Sequence, residues 1–439
     1  MSEETGANAQ APALGAPGLS GWRRLKAILG GSAGNLVEWY DWFAYSSFAL
    51  YFAPVFFPEG DQTAQLLQAA AVFAVGFLAR PVGAWLMGLY ADRAGRRAAL
   101  TVAVAMMCLG SLIIALTPGF AEIGVAAPAI LIAARVLQGL SVGGEYGASA
   151  TYMSEMAGRH RRGFWSSFQY VTLILGQLIA LGVLILLQRT MDADALQEWG
   201  WRIPFFIGAA LAVVVFWIRM GIEESDSWKN RGEERARTML LFAKHPGETL
   251  MIMGLTAAGS LSFYAYTTYM QKYLVNTAEF SRPQATEITA YALICFMLAQ
   301  PVFGWLSDRL GRKRMLIGSF GLGALAAYPV FTAIGQAGDF WTAFLLVLTP
   351  LIILSGYTSI SAVVKAELFP AHVRALGVAL PYALANAVFG GTAEYAALWF
   401  KDAGVETYFF IYIAIMATIA LLISIFMRDT QKASLILED

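Results

Sequence analysis

Long apolar runs, separated by short polar segments, recur along the whole chain. A membrane-spanning helix needs about 20 apolar residues, and twelve runs are long enough, at roughly 27–57, 64–90, 98–117, 125–157, 164–188, 201–219, 248–276, 286–306, 315–335, 341–368, 377–400 and 406–427. Stretches such as Ala209–Ile218 are apolar on both faces, whereas barrel strands alternate apolar and polar residues over about ten positions. The pattern therefore predicts an all-α membrane protein with twelve transmembrane helices.

One charged motif occurs twice in this apolar chain, as GLYADRAGRR at 88–97 and GWLSDRLGRK at 304–313. A second repeat pairs Glu155 and Arg162 with Glu367 and Arg374. Internal repeats of this kind indicate two pseudo-symmetric halves. We predict a first six-helix half at 21–220, a cytoplasmic linker at 221–245 and a second six-helix half at 246–428. A disordered cytoplasmic leader (1–20) and a cytoplasmic tail (429–439) complete the predicted domains.

Composition agrees with a membrane protein, since the 439 residues are 58% hydrophobic and 14% charged, with a mean hydropathy of +0.59. Lys and Arg are retained in cytoplasmic loops. If the N-terminus is cytoplasmic, the only loop Lys and Arg residues left on the other side are Arg189, Arg202, Arg282 and Lys401. Both termini are therefore predicted to be cytoplasmic. Topology explains the basic loops, so they indicate no nucleic-acid partner.

Other classes of protein find little support in the sequence. Cys108 and Cys295 lie in separate apolar runs and have no metal-ligand spacing. No nucleophile is paired with a base, and no loop is long enough for a soluble signalling domain. We expect neither enzyme activity nor a metal or cofactor.

The doubled Gly-x-x-x-Asp-Arg-x-Gly-Arg motif resembles the signature of the major facilitator superfamily. The resemblance implies two halves that rock about a central cavity, with the signature loops forming a cytoplasmic gate. Asp92 can face the positive end of a helix in the opposite half, with Asp308 as its mirror. The alternative is that these charges only retain the loops in the cytoplasm. The expected gate residues are Gly88, Asp92, Arg93, Arg96, Glu155, Arg162, Asp308, Arg309, Arg312, Glu367 and Arg374.

Ionisable residues within membrane helices are costly and usually functional. The first helix carries Glu38, Asp41 and Tyr45 on one face. With a rise of about 1.5 Å per residue, Asp41 lies roughly 22 Å beyond Lys26, near the middle of the bilayer. Carboxylates in a partly desolvated cavity suit proton coupling, and we assign that role to Glu38, Asp41 and Glu145. The alternative is that one of them is a permanent counter-ion of an arginine.

Two membrane arginines are candidates for binding an anion. Arg80 lies roughly 18 Å from the end of the second helix, at the depth of Asp41, and either binds substrate or pairs permanently with Asp41. In the fourth helix, Arg135 and Gln138 share a stripe with Glu145. Their Arg-x-x-Gln-Gly sequence resembles a signature of proton-coupled members of the superfamily, where the arginine is linked to proton coupling or anion binding.

The second half supplies fewer candidates. Tyr264, Tyr357 and Tyr382 are predicted to orient a substrate carboxylate, as aromatic hydroxyls do in ligand sites, and Tyr45 joins them from the first half. The alternative is that these tyrosines belong to the core. Lys272 is expected to reach the membrane surface by snorkelling, while Lys365 is assigned to the cytoplasmic gate.

Several further segments resemble the metabolite:proton symporters, among them GNLVEWYDW at 34–42, QGLSVGGEYGASATYMSEM at 138–156 and EWGWRIPF at 198–205. The resemblance implies a monomeric carrier in the bacterial inner membrane that imports a dicarboxylate, with α-ketoglutarate expected, together with protons. The alternatives are another organic acid, such as citrate or shikimate, and uncoupled exchange. No apolar heptads follow Met427, which argues against the osmosensing proline and betaine carriers of this family.

Overall fold

The structure is a computed structural model that describes residues 21–94, 96–141, 161–220, 244–434 and 436. Some of these residues, including 21–35, 91–94 and 96–97, are described by their backbone alone. The predicted leader, most of the linker and the end of the fourth predicted helix lie outside the described residues.

The first half consists of long helices joined by short connections. Short helices at Phe120–Ile123, Ala193–Glu198 and Gly200–Arg202 lie in the connections. The long helices, with the short helix that leads into the fifth, are α1 (Gly21–Phe56), α2 (Gln62–Ala94), α3 (Arg96–Leu116), α4 (Ala126–Ser141), α5a (Arg162–Ser166), α5b (Phe168–Thr190) and α6 (Ile203–Met220).

The second half repeats this order, but three of its helices are interrupted. π-Helical segments at Ala265–Tyr269 and Asn386–Gly390 divide α7 and α11, and Ser359 and Ile360 divide α10. The helices are α7a (Pro246–Tyr264), α7b (Met270–Asn276), α8 (Arg282–Leu310), α9 (Arg312–Gly335), α10a (Phe340–Thr358), α10b (Ser361–Glu367), α11a (Ala371–Ala385), α11b (Ala393–Asp402) and α12 (Thr407–Phe426).

Local sequence explains where two of these helices begin. Ser281 and Gln284 form a capping box at the start of α8, in which each side chain bonds to the backbone of the other residue. Asp339 accepts hydrogen bonds of 3.0 Å from the N–H groups of Trp341 and Thr342 at the start of α10a. Its hydrogen bonds with Thr342 lower the pKa of Asp339.

The twelve predicted spans each coincide with observed helix over the described residues. By length and composition, seven helices in the described part of the chain can cross a membrane, namely α2, α5 and α8–α12. The shorter apolar helices α3, α4 and α6 coincide with three further predicted spans. The remaining two spans correspond to α1 and to the interrupted α7.

Helix packing repeats between the two halves. In the first half, α2 packs on α4, α3 packs on α4 and α6, and α1 packs on α5b and α6. The equivalent pairs in the second half are α8 with α10, α9 with α10 and α12, and α7 with α11 and α12. The halves meet through two further equivalent pairs, α5 with α8 and α2 with α11. This repetition agrees with the pseudo-symmetry expected from the doubled motif.

Glycines allow the halves to approach closely at both contacts. A Cβ atom on Gly163 of α5a would lie 2.4 Å from Ser307 Oγ and 2.5 Å from the carbonyl oxygen of Gly304 on α8. In the other pair, a Cβ atom on Gly391 would lie 2.3 Å from Cβ of Phe77. Small residues at such crossings let helix backbones pack at short range, so these positions hold the halves together.

Gly163→Ala is therefore expected to separate the halves at the end of the molecule that carries the signature loops. A cysteine introduced at Ser167, which is buried against Gly304, reports the separation in a protein whose native cysteines are replaced by serine. We expect maleimide to label this cysteine several-fold faster in the Gly163→Ala background. Gly182→Ala is the control, because a Cβ atom at Gly182 meets nothing within 4 Å. Equal labelling rates in the two backgrounds would contradict the prediction.

Candidate functional site

A hydrogen-bonded network surrounds Asp41 between α1, α3 and α4. The Ser111 hydroxyl donates to one carboxylate oxygen of Asp41, and the side-chain amide of Gln138 donates to the other. Arg135 Nη1 donates to Gln138 Oε1 at 2.7 Å and lies 4.0 Å from Asp41 Oδ2. All four residues are buried. Neutral donors therefore hold the carboxylate, and Gln138 connects it to the guanidinium.

This network can accommodate either protonation state of Asp41. A hydroxyl group can donate or accept a hydrogen bond, and the Ser111 hydroxyl also lies 3.2 Å from a second acceptor, the carbonyl oxygen of Met107. A protonated Asp41 can therefore donate to Ser111 while Ser111 donates to Met107. Protonation of Asp41 therefore reverses one hydrogen bond, and Asp41, Ser111 and Met107 all keep a partner.

Arg80 pairs with Glu38 rather than with Asp41. Its Nη2 atom lies 2.9 Å from Glu38 Oε1, and both side chains are buried. The sequence-based alternative of a permanent pair between Arg80 and Asp41 is wrong, because the Asp41 carboxylate turns away from Arg80 toward Ser111 and Gln138. Glu38 thus takes the position of a counter-ion.

The indole of Trp42 packs against both arginines. The guanidinium carbon of Arg135 lies 3.9 Å from the Trp42 ring centroid, and that of Arg80 lies 5.3 Å from it. Cation–π contacts of this kind stabilise a buried guanidinium without using its N–H groups. Among the described residues, Arg80 Nη1 and both Nε and Nη2 of Arg135 are buried without a hydrogen-bond acceptor. Trp42 was not among the predicted site residues.

The helices around the Asp41 network pack so closely that two neighbouring positions have no room for a side chain. A Cβ atom at Gly208 of α6 would lie 2.8 Å from Asp41 Oδ1, and one at Gly110 of α3 would lie 2.5 Å from Cγ of Gln138. Glycine at these positions lets α3 and α6 reach the polar side chains. The network therefore depends on backbone proximity as well as on its own hydrogen bonds.

The predicted tyrosines do not form one group. Tyr45 donates its hydroxyl to the carbonyl oxygen of Ala69 at 3.0 Å, and its ring lies 4.4 Å from the guanidinium carbon of Arg135. Tyr264 lies at the contact between the halves, with its ring centroid 5.4 Å from that of Phe77. Tyr45 thus presents its ring to Arg135, while its hydroxyl is used in the contact with α2.

Tyr357 and Tyr382 instead surround Lys365 within the second half. The Lys365 ammonium lies 4.4 Å from the Tyr382 ring centroid and 5.9 Å from that of Tyr357, and it donates to Ser361 Oγ at 2.8 Å. Lys365 was expected in the cytoplasmic gate. Instead, its side chain is buried among Tyr357, Tyr382 and Ser361.

Lys272 forms a buried ion pair that the sequence interpretation missed. Its Nζ atom lies 3.2 Å from Glu394 Oε1 and donates to the carbonyl oxygen and Oγ of Ser46 at 2.6 and 2.5 Å. Lys272 is fully buried, so the prediction that it snorkels to the surface is wrong. One signal in the sequence could have indicated this pair, because Glu394 is a carboxylate within another predicted membrane helix of the same half.

The signature loop of the second half makes the cross-half contact expected of it. Asp308 accepts hydrogen bonds from the backbone N–H groups of Gly163 at 2.8 Å and Phe164 at 3.0 Å, at the start of α5a. Arg312 pairs with Asp308 at 2.9 Å and lies 3.9 Å from Glu367. A carboxylate from one half thus satisfies the free N–H groups at a helix end in the other.

The other predicted gate residues have different positions. Arg309 is exposed, and its guanidinium carbon lies 3.9 Å from the ring centroid of Trp305 on its own helix; its place in the gate stays a prediction. Arg162 and Arg374 are buried near the gate, and Arg374 Nε donates to the carbonyl oxygen of Phe369 at 3.2 Å. Glu145 and Glu155 lie outside the described residues, as do the side chains of Asp92, Arg93 and Arg96; Gly88 lies within α2.

The chain after α12 packs against Asp308 and Arg162. Gln431 donates to the carbonyl oxygen of Asp308 at 3.0 Å, and Arg162 Nη1 donates to Ser434 Oγ at 3.4 Å. Ile436 is 5% exposed and packs in a cluster that includes Tyr382. The predicted tail thus contacts both halves at the end of the molecule that carries the signature loops.

Comparisons with known proteins agree with this architecture. The chain matches the sugar (and other) transporter family over two stretches, residues 27–247 and 230–438. A crystal structure of a D-xylose-proton symporter has a TM-score of 0.71 at 21% sequence identity, over 92% of this chain and 98% of that chain. A second structure is described as a major facilitator superfamily proton:xylose symporter. It has a TM-score of 0.71 at 19% identity, over 92% of this chain and 95% of that chain.

The curated relatives are bacterial transporters. The α-ketoglutarate permease of Escherichia coli (strain K12) is 53% identical over 410 residues, which are 93% of this chain and 95% of that protein. The citrate-proton symporter of Salmonella typhi is 36% identical over 83% of this chain and 85% of its own length. The shikimate transporter of Escherichia coli (strain K12) is 32% identical over 94% of this chain and 96% of its own length.

The fold is that of a membrane transporter of the major facilitator superfamily, as the sequence predicted, and the helices of the described residues repeat in two pseudo-symmetric halves. Within that superfamily, the chain belongs to the sugar (and other) transporter family. The prediction that it is a transporter rather than an enzyme is confirmed by its relatives, and it is a multi-pass protein of the inner membrane.

Removing one partner of the buried pair of Arg80 and Glu38 is expected to destabilise the fold. Arg80→Gln leaves Glu38 without its guanidinium, and breaking a buried ion pair in this way costs about 3–5 kcal/mol. The double variant Arg80→Gln/Glu38→Gln leaves no unpaired charge, so it should unfold at a higher temperature than Arg80→Gln alone. Thermal unfolding of purified protein in detergent compares these two variants with the wild type and with the second single variant, Glu38→Gln. If the effects of the two single variants simply add in the double variant, the two side chains are not coupled.

Proposed function

We propose that this protein is a proton-coupled secondary transporter that imports a dicarboxylate, with α-ketoglutarate as its substrate. The proposal is supported by the 53% identity to an α-ketoglutarate permease over nearly the full length of both chains. Relatives named for citrate and shikimate share less of the sequence, at 36% and 32% identity. A citrate or shikimate carrier and an uncoupled exchanger are the alternatives.

The observation that carries the substrate class is the unused hydrogen-bonding capacity of the two arginines beside Trp42. Arg80 Nη1 and Arg135 Nε and Nη2 are buried donors without an acceptor among the described residues. Unsatisfied donors on buried charged groups are costly, and carboxylate is the anion that fits a guanidinium through two parallel hydrogen bonds. A carboxylate of the substrate supplies the missing acceptors.

For proton coupling we favour Asp41 over Glu38. Glu38 is committed to Arg80 through a contact of 2.9 Å, which suits a permanent counter-ion. Asp41 has no contact as short as this with a cation, since Arg135 lies 4.0 Å away, and its partners Ser111 and Gln138 are neutral. Ser111 can reverse its hydrogen bond when Asp41 takes up a proton, so the carboxyl group can change charge without a change of packing. Gln138 then positions Asp41 and Arg135 relative to each other.

The contacts around Asp308 form the cytoplasmic gate in this proposal. The proposal keeps the domain boundaries predicted from the sequence, with halves at 21–220 and 246–428 and a linker at 221–245. The positive loops orient both termini, the linker and the signature loops toward the cytoplasm. We propose a monomer in the lipid bilayer that opens alternately to the two sides, takes up its organic acid with protons and uses no cofactor.

Uptake of radiolabelled α-ketoglutarate into proteoliposomes, with and without an inward proton gradient, tests this function. We expect the gradient to drive accumulation by the wild-type protein. Asp41→Asn should abolish gradient-driven accumulation but retain exchange of external for internal substrate, because exchange needs no net proton movement. Unlabelled succinate, citrate and shikimate as competitors define the substrate range.

Asp402→Asn is the control for this test, because Asp402 is exposed at the end of α11b. It should accumulate substrate as the wild-type protein does. Wild-type uptake that ignores the gradient, or Asp41→Asn protein that still responds to it, would contradict proton symport through Asp41.

Asp308→Asn tests the gate separately. An asparagine can accept a hydrogen bond from the start of α5a, but it carries no charge to pair with Arg312 or to favour the helix end. We expect the variant to insert and fold normally but to transport at a rate at least several-fold below wild type, with faster labelling of a cysteine at Ser167. Full transport activity with unchanged labelling would show that Asp308 has no role in the gate.

A further inference from the structure

A second cation site lies on the opposite half from Arg80 and Arg135. Lys272 of α7b and Glu394 of α11b form a buried ion pair of 3.2 Å, and each lies shortly after a π-helical segment of its helix. π-Helical segments occur frequently at functional sites. Ionisable residues this deep in a membrane protein are functional by default. The function derived so far uses neither residue.

The contacts of this pair fall into two groups. Lys272 donates to the backbone oxygen of Thr268 at 3.3 Å and pairs with Glu394, and both partners belong to its own half. Its two shorter bonds are to the carbonyl oxygen and Oγ of Ser46, in α1 of the other half. Ser46 also donates its hydroxyl to Glu394 Oε2 at 2.9 Å. When the halves separate at this point, Lys272 keeps Glu394 and Thr268 as acceptors. It loses the two acceptors of Ser46.

Ser46 also places this pair close to the first cation site. The neighbouring residue Tyr45 packs its ring on Arg135, at 4.4 Å. One turn of α1 therefore contacts a guanidinium of the first half through Tyr45 and an ammonium of the second half through Ser46. A substrate that enters between the halves at this level meets a cation on each side.

We propose that Lys272 binds the second carboxylate of the substrate, taking it in place of Ser46. This inference rests on the proposed function, in which the arginines of the first half bind the first carboxylate. Glu394 then holds the ammonium in position and keeps it neutralised when no substrate is present. A dicarboxylate links the halves through one carboxylate on each, whereas a monocarboxylate engages one half alone. The same link between the halves thus explains both why the protein prefers two carboxylates and why the halves close around the substrate.

The competing explanation is a purely structural contact between the halves. In that case Lys272 and Glu394 are equivalent, because removing either residue leaves the other charge buried and unpaired. Under our proposal they differ, because only Lys272 touches the substrate. The preference between a dicarboxylate and a matched monocarboxylate separates the two explanations, since a loss of folding or rate alone does not change that preference.

The experiment measures inhibition of α-ketoglutarate exchange in proteoliposomes by unlabelled α-ketoglutarate and by 2-oxopentanoate, which has the same carbon chain without the second carboxylate. The variants are Lys272→Gln, Glu394→Gln and the double variant Lys272→Gln/Glu394→Gln, which contains no unpaired charge at this site. Lys401→Gln is the control, because Lys401 is a lysine of the same half whose partners are Glu406, at 3.6 Å, and Thr277 rather than residues of either cation site.

We expect wild type, Lys401→Gln and Glu394→Gln to prefer α-ketoglutarate over 2-oxopentanoate. Lys272→Gln and the double variant should lose about tenfold or more of this preference, as expected for one charge-assisted contact, while their inhibition by 2-oxopentanoate stays unchanged. Full preference in the double variant would overturn the role of Lys272. An equal loss in Glu394→Gln and Lys272→Gln would also overturn it. A wild-type protein that prefers neither acid would overturn the proposed function itself.

Discussion

Charge buried between membrane helices must be compensated by the protein, because the surrounding hydrocarbon offers neither water nor ions. In the described structure, this compensation takes place within each half. Glu38 pairs with Arg80, and Asp41 reaches Arg135 through Gln138, all in the first half. Lys272 pairs with Glu394 in the second half. Movement of one half against the other therefore breaks none of these buried pairs.

The ion pair of Arg189 and Glu287 does cross between the halves, but it is not buried. Its N–O distance is 2.8 Å, and the two side chains are 66% and 28% exposed. An exposed pair of this kind contributes little to stability, so water can replace either partner when the halves separate. Ser46 makes the deep cross-half bonds to Lys272 and Glu394, and it is uncharged. The buried ion pairs of the described residues are thus kept within the halves, while neutral groups and glycines such as Gly163 and Gly391 lie at the surfaces where the halves meet.

The gate at Asp308 combines these two kinds of contact. Asp308 is charged, but its ion partner Arg312 belongs to its own half, and its cross-half partners are backbone N–H groups of Gly163 and Phe164. Those groups are accessible to water once α5a leaves α8. The glycine at position 163 is needed because a Cβ atom there would meet Ser307 and Arg312. The second copy of the doubled motif places its own glycine at the same contact, because a Cβ atom at Gly304 would lie 2.5 Å from the carbonyl oxygen of Gly163, and Asp308 follows Gly304 by about one turn of α8.

Periodicity and the doubled motif were sufficient to predict the fold, because helix length and internal repetition are properties of the sequence alone. The depth of Asp41, Arg80 and Arg135 was also predictable, since it follows from the rise of a helix. Which buried charges pair with each other could not be predicted from the sequence. Whether Arg80 pairs with Glu38 or Asp41 depends on how α1 is rotated against its neighbours, and this rotation depends on close contacts such as those of Gly76 in α2 with Trp42 and of Gly208 in α6 with Asp41. Lys272 was misjudged because its distance from the helix end suggested a surface, whereas α1 and α11b cover it.

Gln138 connects the two functional parts of the first half, and its geometry restricts how they can communicate. A side-chain amide has one acceptor oxygen and one donor nitrogen. Here the oxygen accepts from Arg135 and the nitrogen donates to Asp41. If a carboxylate draws Arg135 away, the amide oxygen loses its donor and the amide is free to turn. Asp41 then loses a hydrogen bond that favours its charged form. Binding of an anion at Arg135 and binding of a proton at Asp41 therefore favour each other, which is the coupling that a symporter requires.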